Sequence, residues 1–201
     1  MKEISTLDRI LLILTALLSA HQVVIGIDGL GTLAVASYTV AFGVLLIACL
    51  LLVIFGFEIL DSSLVLIVST IIPVSLSLGL VAEHLPTVTS AYLFFSILGV
   101  ITVAVTRYVF AGRIATVVLI IVHGVAGVII FLLPIILSLR GEMPMGYAFV
   151  GIGGALMGLG GLLLSFLKTG RPILSRETIL RILPGLLFLT TLSFTVGFIF
   201  A

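Results

Sequence analysis

The chain has 201 residues, of which 62% are hydrophobic and 8% charged, with a mean hydropathy of +1.52. A soluble domain ordinarily carries about 25% charged residues, and no soluble fold has interior enough to hide this much apolar surface. The formal net charge is +1 with the basic residues scattered along the chain, which leaves no electrostatic footprint for nucleic acid. A single cysteine, Cys49, excludes an intrachain disulfide and any CxxC metal or redox pair, and its place inside an apolar run reads as a small buried hydrophobe.

Lys2 and Arg9 precede an apolar run from Ile10 to Leu18, with Ala20 as a nominal cleavage point, which imitates a signal peptide. Leu18 occupies the position three before that cut, where a small residue is needed, and Glu3 and Asp8 dilute the basic start. The run therefore reads as an uncleaved first span. Six more follow, and the seven lie at about 10–27, 33–56, 62–82, 90–106, 114–139, 146–167 and 178–200. Charges, prolines or glycines break each junction: Asp28 to Gly31, Glu58 and Asp61, Glu83 to Pro86, Arg107 to Arg113, Arg140 to Pro144, and Lys168 to Arg181. The fourth run is the shortest. The expected fold is all-α, a polytopic transmembrane helix bundle of seven spans forming one integral membrane domain over residues 1–201.

Short loops rich in lysine and arginine stay in the cytoplasm. With the N-terminus inside, Lys2, Arg9, Arg107, Arg113, Lys168, Arg171, Arg176 and Arg181 all fall on that side, and of the nine basic residues only Arg140 does not. The expected orientation is N-inside and C-outside, in the cytoplasmic or an equivalent energy-transducing membrane. Gly43-Val44 followed by Gly56 recurs as Gly99-Val100 followed by Gly112, and Gly154 with Gly170 comes again at nearly the same displacement. Read as a repeat, this gives three helical hairpins plus a seventh helix. The layout of tandem two-helix units resembles that of small HdeD-like membrane proteins, a likeness of layout from which no residue role follows.

The stretch most suggestive of function runs from Arg113 to Arg140, uncharged throughout and carrying His123. At about 1.5 Å per residue, His123 lies roughly 15 Å from Arg113, near the midplane of a hydrocarbon core about 30 Å thick, an expensive place for an ionisable ring. Gly124 and Gly127 flank it, and Pro134 frees the carbonyl of Ile130. His21 sits at a similar depth in the first span. A facing pair of rings would ligate a b-type haem or pass protons; alternatively each neutral ring donates to a carbonyl or hydroxyl, Thr116 being one candidate. Gly154, Gly158 and Gly161 share a face of the sixth span, with Gly151, Gly153 and Gly160 nearby, and such small residues let helix backbones approach in lipid. That face reads as an internal contact, a subunit interface or the wall of a cleft. Pro73 in the third span and Pro134 in the fifth mark bends satisfied by hydroxyls or an irregular segment lining a cavity. His84 with Glu83 reads as a solvated pair at the outer end of the third span.

Absences narrow the choice. No span contains Asp, Glu or Lys, which removes intramembrane aspartyl proteolysis, carboxylate relays and a retinal Schiff base, and HExxH and GxSxG are missing. An enzyme is therefore not expected. The leading expectation is a small transporter, channel or permease-like component for a neutral or weakly polar solute, its path lined by His21, His123, Pro73, Pro134 and the Gly154, Gly158 and Gly161 face. The rival is a membrane anchor or structural subunit of a larger complex, holding haem through His21 and His123. Expected partners are the lipid bilayer and either further copies of the chain or other membrane subunits.

Overall fold

A computed structural model describes residues 4–26, 29–110, 112–168 and 174–201. Seven helices fall on the seven apolar runs: α1 (Thr6–Ile25), α2 (Thr32–Phe55), α3 (Ser63–His84), α4 (Thr89–Val105), α5 (Gly112–Leu139), α6 (Ala148–Lys168) and α7 (Arg176–Phe198), and among the described residues there is no strand. Each gives a segment long and apolar enough to cross a membrane. The chain is accordingly built as a multi-pass membrane protein.

The helix ends follow local chemistry. Ser5 caps α1 through a capping box: its hydroxyl accepts the Asp8 N–H, while the Asp8 carboxylate accepts the Ser5 N–H at 3.0 Å. Ser175 caps α7 by accepting the Thr178 N–H on its hydroxyl. Gly26 and Gly141, with φ of 67° and 72°, take the left-handed turns that end α1 and follow α5. The fourth span is longer than its apolar run suggests, reaching from Pro86 to Val109. Pro86 breaks nothing: it opens a short 3-10 turn, where its missing N–H has no helical partner to lose. At the far end a π-helical turn, Thr106–Phe110, continues α4.

Packing runs α1–α2–α3 on one side and α5–α6–α7 on the other, and the two triplets meet along α1–α7 and α3–α5 to close a six-helix circuit. Contact within each triplet is more extensive than across the seams. Outside the circuit, α4 leans on α3 and α5, held partly by the Tyr92 hydroxyl donating to Ser77 at 2.8 Å. The seams α2–α3 and α6–α7 are among the broadest, so consecutive helices pack as two triplets. One core unites Leu12, Phe42, Leu80, Ile130, Val150 and Phe194; a smaller one of Val74, Val103, Val122 and Ala126 binds α3, α4 and α5. Outward residues such as Ile54, Phe94 and Ile120 stay exposed, as suits a lipid environment.

The close approach of α5 to α6 shows how proline and glycine cooperate. Pro134 cannot donate to the carbonyl of Ile130, which is left free. That carbonyl lies against Gly154, where a methyl group would sit 2.9 Å from its oxygen. Only hydrogen at that position lets the two backbones approach this closely.

Candidate functional site

A cavity of about 250 Å³ opens at one end of the circuit, lined by Leu30, Tyr38, Glu83, His84, Met143, Tyr147 and Phe198 with Gly29 and Ala201 at its rim. Its walls come from both triplets. α2 and α3 supply Tyr38, Glu83 and His84; the α5–α6 connection, with the 3-10 turn that leads into α6, supplies Met143 and Tyr147, and the end of α7 supplies Phe198. This end is opposite the one carrying Arg176, which reaches Asp61 at 2.9 Å.

Tyr147 is the centre of the wall, 1% exposed. Its hydroxyl lies 2.8 Å from Nε2 of His84 and also hydrogen-bonds the hydroxyl of Tyr38. A consistent proton assignment runs Tyr38 to Tyr147 to His84, with the imidazole neutral and carrying its proton on Nδ1. Three helices are thereby tied across the junction of the triplets. The rings pack as well: Tyr38 and Phe198 have centroids 4.9 Å apart, Tyr147 and His84 5.5 Å, and Tyr147 and Phe198 6.4 Å. Phe42 adds an edge contact to Phe198 beneath them. Glu83 is half-buried and makes no ion pair among the described residues. His84 and Glu83 are thus not a solvated pair; the fold of a segment 63 residues away covers the imidazole.

Beside this end lies a set of buried polar side chains on α1, α2 and α7: Thr15, Ser19, Gln22, Ser37, Thr190, Thr191 and Thr195. Thr15, Ser19, Ser37 and Thr191 donate to the carbonyls of Leu11, Thr15, Leu33 and Leu187, one turn back, at 2.7 to 2.9 Å. Their protons are spent, and their oxygens remain as acceptors. Oγ1 of Thr195 is buried without a partner. Gln22 lies three residues from the end of α1 and Thr15 ten, so these groups descend from the cavity end toward mid-membrane.

The residues singled out in the sequence are placed apart. His21 is exposed on α1, which packs on α2 and α7, whereas His123 belongs to α5, which packs on α3, α4 and α6. The structure does not bring the two rings together, as a shared haem or a direct proton step between them requires. Nδ1 of His123 is buried without a well-formed hydrogen bond, the ring turning back to the backbone of Leu119 on its own helix, and Thr116 has a partner of its own. Pro73 is buried in α3, and Pro134 serves the α5–α6 contact. The glycine face divides: Gly154 and Gly151 meet α5, Gly153 and Gly160 meet Phe194 and Leu186 of α7, and Gly158 and Gly161 face open space. Asp28 lies outside the described residues, and among those described no three His, Cys, Asp or Glu side chains gather as a metal site. Compared with known proteins, the chain matches no family model, no curated protein and no solved structure.

Proposed function

We propose that the chain is a small membrane carrier or permease-like component whose solute binds in the cavity at the Tyr38–Tyr147–His84 cluster. One observation carries this reading: the hydrogen bonds that close the cavity wall run between the two helix triplets and not within either. Rocking of one triplet on the other, with a site at their junction, is how many carriers expose a site alternately to the two sides. Breaking two neutral hydrogen bonds and re-forming them with solute or water costs little net free energy, about 1 kcal/mol each, so such a wall opens readily. The acceptor-lined group at Thr15, Ser19, Ser37 and Thr191 offers a polar continuation toward mid-membrane, in place of the path through His21 and His123.

The test uses a chain with Cys49→Ala and Tyr38→Cys in proteoliposomes. A small methanethiosulfonate reagent added on the cavity side is expected to label position 38, and faster when Tyr147→Phe removes the remaining bond of the wall, that to His84. No labelling from either side over hours would mean a static bundle and end the carrier reading. The second reading, a structural subunit of a membrane complex, is favoured by Gly158 and Gly161, which face outward with nothing against them. It requires a stoichiometric partner on purification in mild detergent, and repeated recovery of the lone chain would remove it.

A further inference from the structure

The same cavity, taken as the ligand site just proposed, has a charge and shape that select among solutes. Three aromatic rings, Tyr38, Tyr147 and Phe198, stand within 4.9 to 6.4 Å of one another where they pair. Beside them is Glu83, a half-buried carboxylate with no ion-pair partner among the described residues. Among the described residues no lysine or arginine lines the space. The basic residue nearest in sequence, Arg140, is directed to Glu142 at 3.8 Å on the exposed surface. His84 contributes no compensating positive charge when neutral, since its Nε2 is engaged by the Tyr147 hydroxyl. An unpaired carboxylate beside an aromatic cavity is answered most directly by a positive ligand.

We propose that the cavity binds a small organic ammonium ion, with Glu83 as its counter-charge and the aromatic residues Tyr38, Tyr147 and Phe198 in its lining. Ring faces carry the negative part of the aromatic quadrupole and attract a cation within about 6 Å. An alkylated ammonium suits them better than a metal ion or a primary amine, because it has few or no N–H groups to satisfy and sheds its water easily. At about 250 Å³ the space lies below the range of about 300 to 1,000 Å³ usual for drug-sized ligands, so it takes a molecule of only several heavy atoms. This narrows the solute to a cation, against the neutral or weakly polar one expected from the sequence.

The experiment compares choline with 3,3-dimethylbutan-1-ol, its uncharged isostere, by calorimetric titration of the purified chain in mild detergent. Choline is expected to bind at least about tenfold more tightly than the isostere. Glu83→Gln, nearly isosteric, is expected to weaken choline about tenfold while leaving the isostere unchanged; Glu83→Asp recovers part of the loss, and unfolding curves show that both variants are folded. Equal binding of the two compounds, choline binding untouched by Glu83→Gln, or no saturable choline binding at millimolar concentration would each overturn the proposal. None of these outcomes alters the labelling of position 38, so the ligand class and the carrier reading fail separately.

Discussion

Tyr147 is the side chain on which the cavity wall depends, because one hydroxyl serves two partners on two other helices. Tyr147→Phe is expected to lower stability by about 1 to 3 kcal/mol, since it leaves Tyr38 and His84 without their shared partner while preserving the ring contacts. Thermal unfolding in a fixed detergent measures it. Tyr38→Phe removes only the terminal donor and is expected to cost less, about 1 kcal/mol. His123 contributes less. Its ring is held by nothing stronger than a contact with the Leu119 backbone one turn back, so His123→Leu, which removes the polar atoms, is expected to shift stability by no more than about 1 kcal/mol in either direction. A stabilised variant that lost solute flux would show that the ring is retained for function. The sequence made His123 conspicuous because an ionisable group deep in an apolar span stands out by itself. Nothing comparable marked Tyr147, an ordinary residue near a helix start, whose meaning arises only when folding lays it on His84, 63 positions away.

Among the elements, α6 shows why helical spacing alone misassigns a face. Gly151, Gly154, Gly158 and Gly161 share one side by geometry, yet only the first two meet α5, and the last two face open space. The opposite side carries Gly153 and Gly160 because α6 lies between two neighbours and needs a close approach to each. Gly154→Ala would place a methyl 2.8 Å from the main-chain carbon of Ile130, which cannot move aside as a side chain can. It is expected to destabilise by about 1 to 3 kcal/mol through overpacking. Gly158→Ala meets nothing and is expected to be neutral or mildly stabilising, by up to about 1 kcal/mol, from helix propensity. Unfolding midpoints of the two variants, measured side by side, give the contrast. Helix positions themselves were legible because an apolar run of span length has few other uses. The extension of α4 was not, because Pro86 and Arg107 look like boundaries when the turns that absorb them are unseen.

For the whole molecule, the orientation expected from the basic residues places the cavity outside. A Glu142→Cys variant in a Cys49→Ala background is expected to react with an impermeant maleimide on intact cells, and Asp61→Cys only after permeabilisation; the reverse pattern would invert the assignment. The number of spans was readable from hydropathy, and charge bias supplied a direction. The grouping into triplets was not readable, because apolar faces that pack on helices and those that meet lipid have the same composition.

The peripheral helix α4 has a consequence that follows from parity. Each triplet crosses the membrane an odd number of times, so two triplets joined directly would face opposite ways. A single intervening crossing restores the second to the direction of the first. Tyr147 and Phe198 therefore reach the same membrane face as Tyr38 and His84 only because α4 lies between the triplets, although α4 adds no side chain to the cavity. A chain lacking α4 would keep every residue of the site and place its two halves on opposite sides of the bilayer.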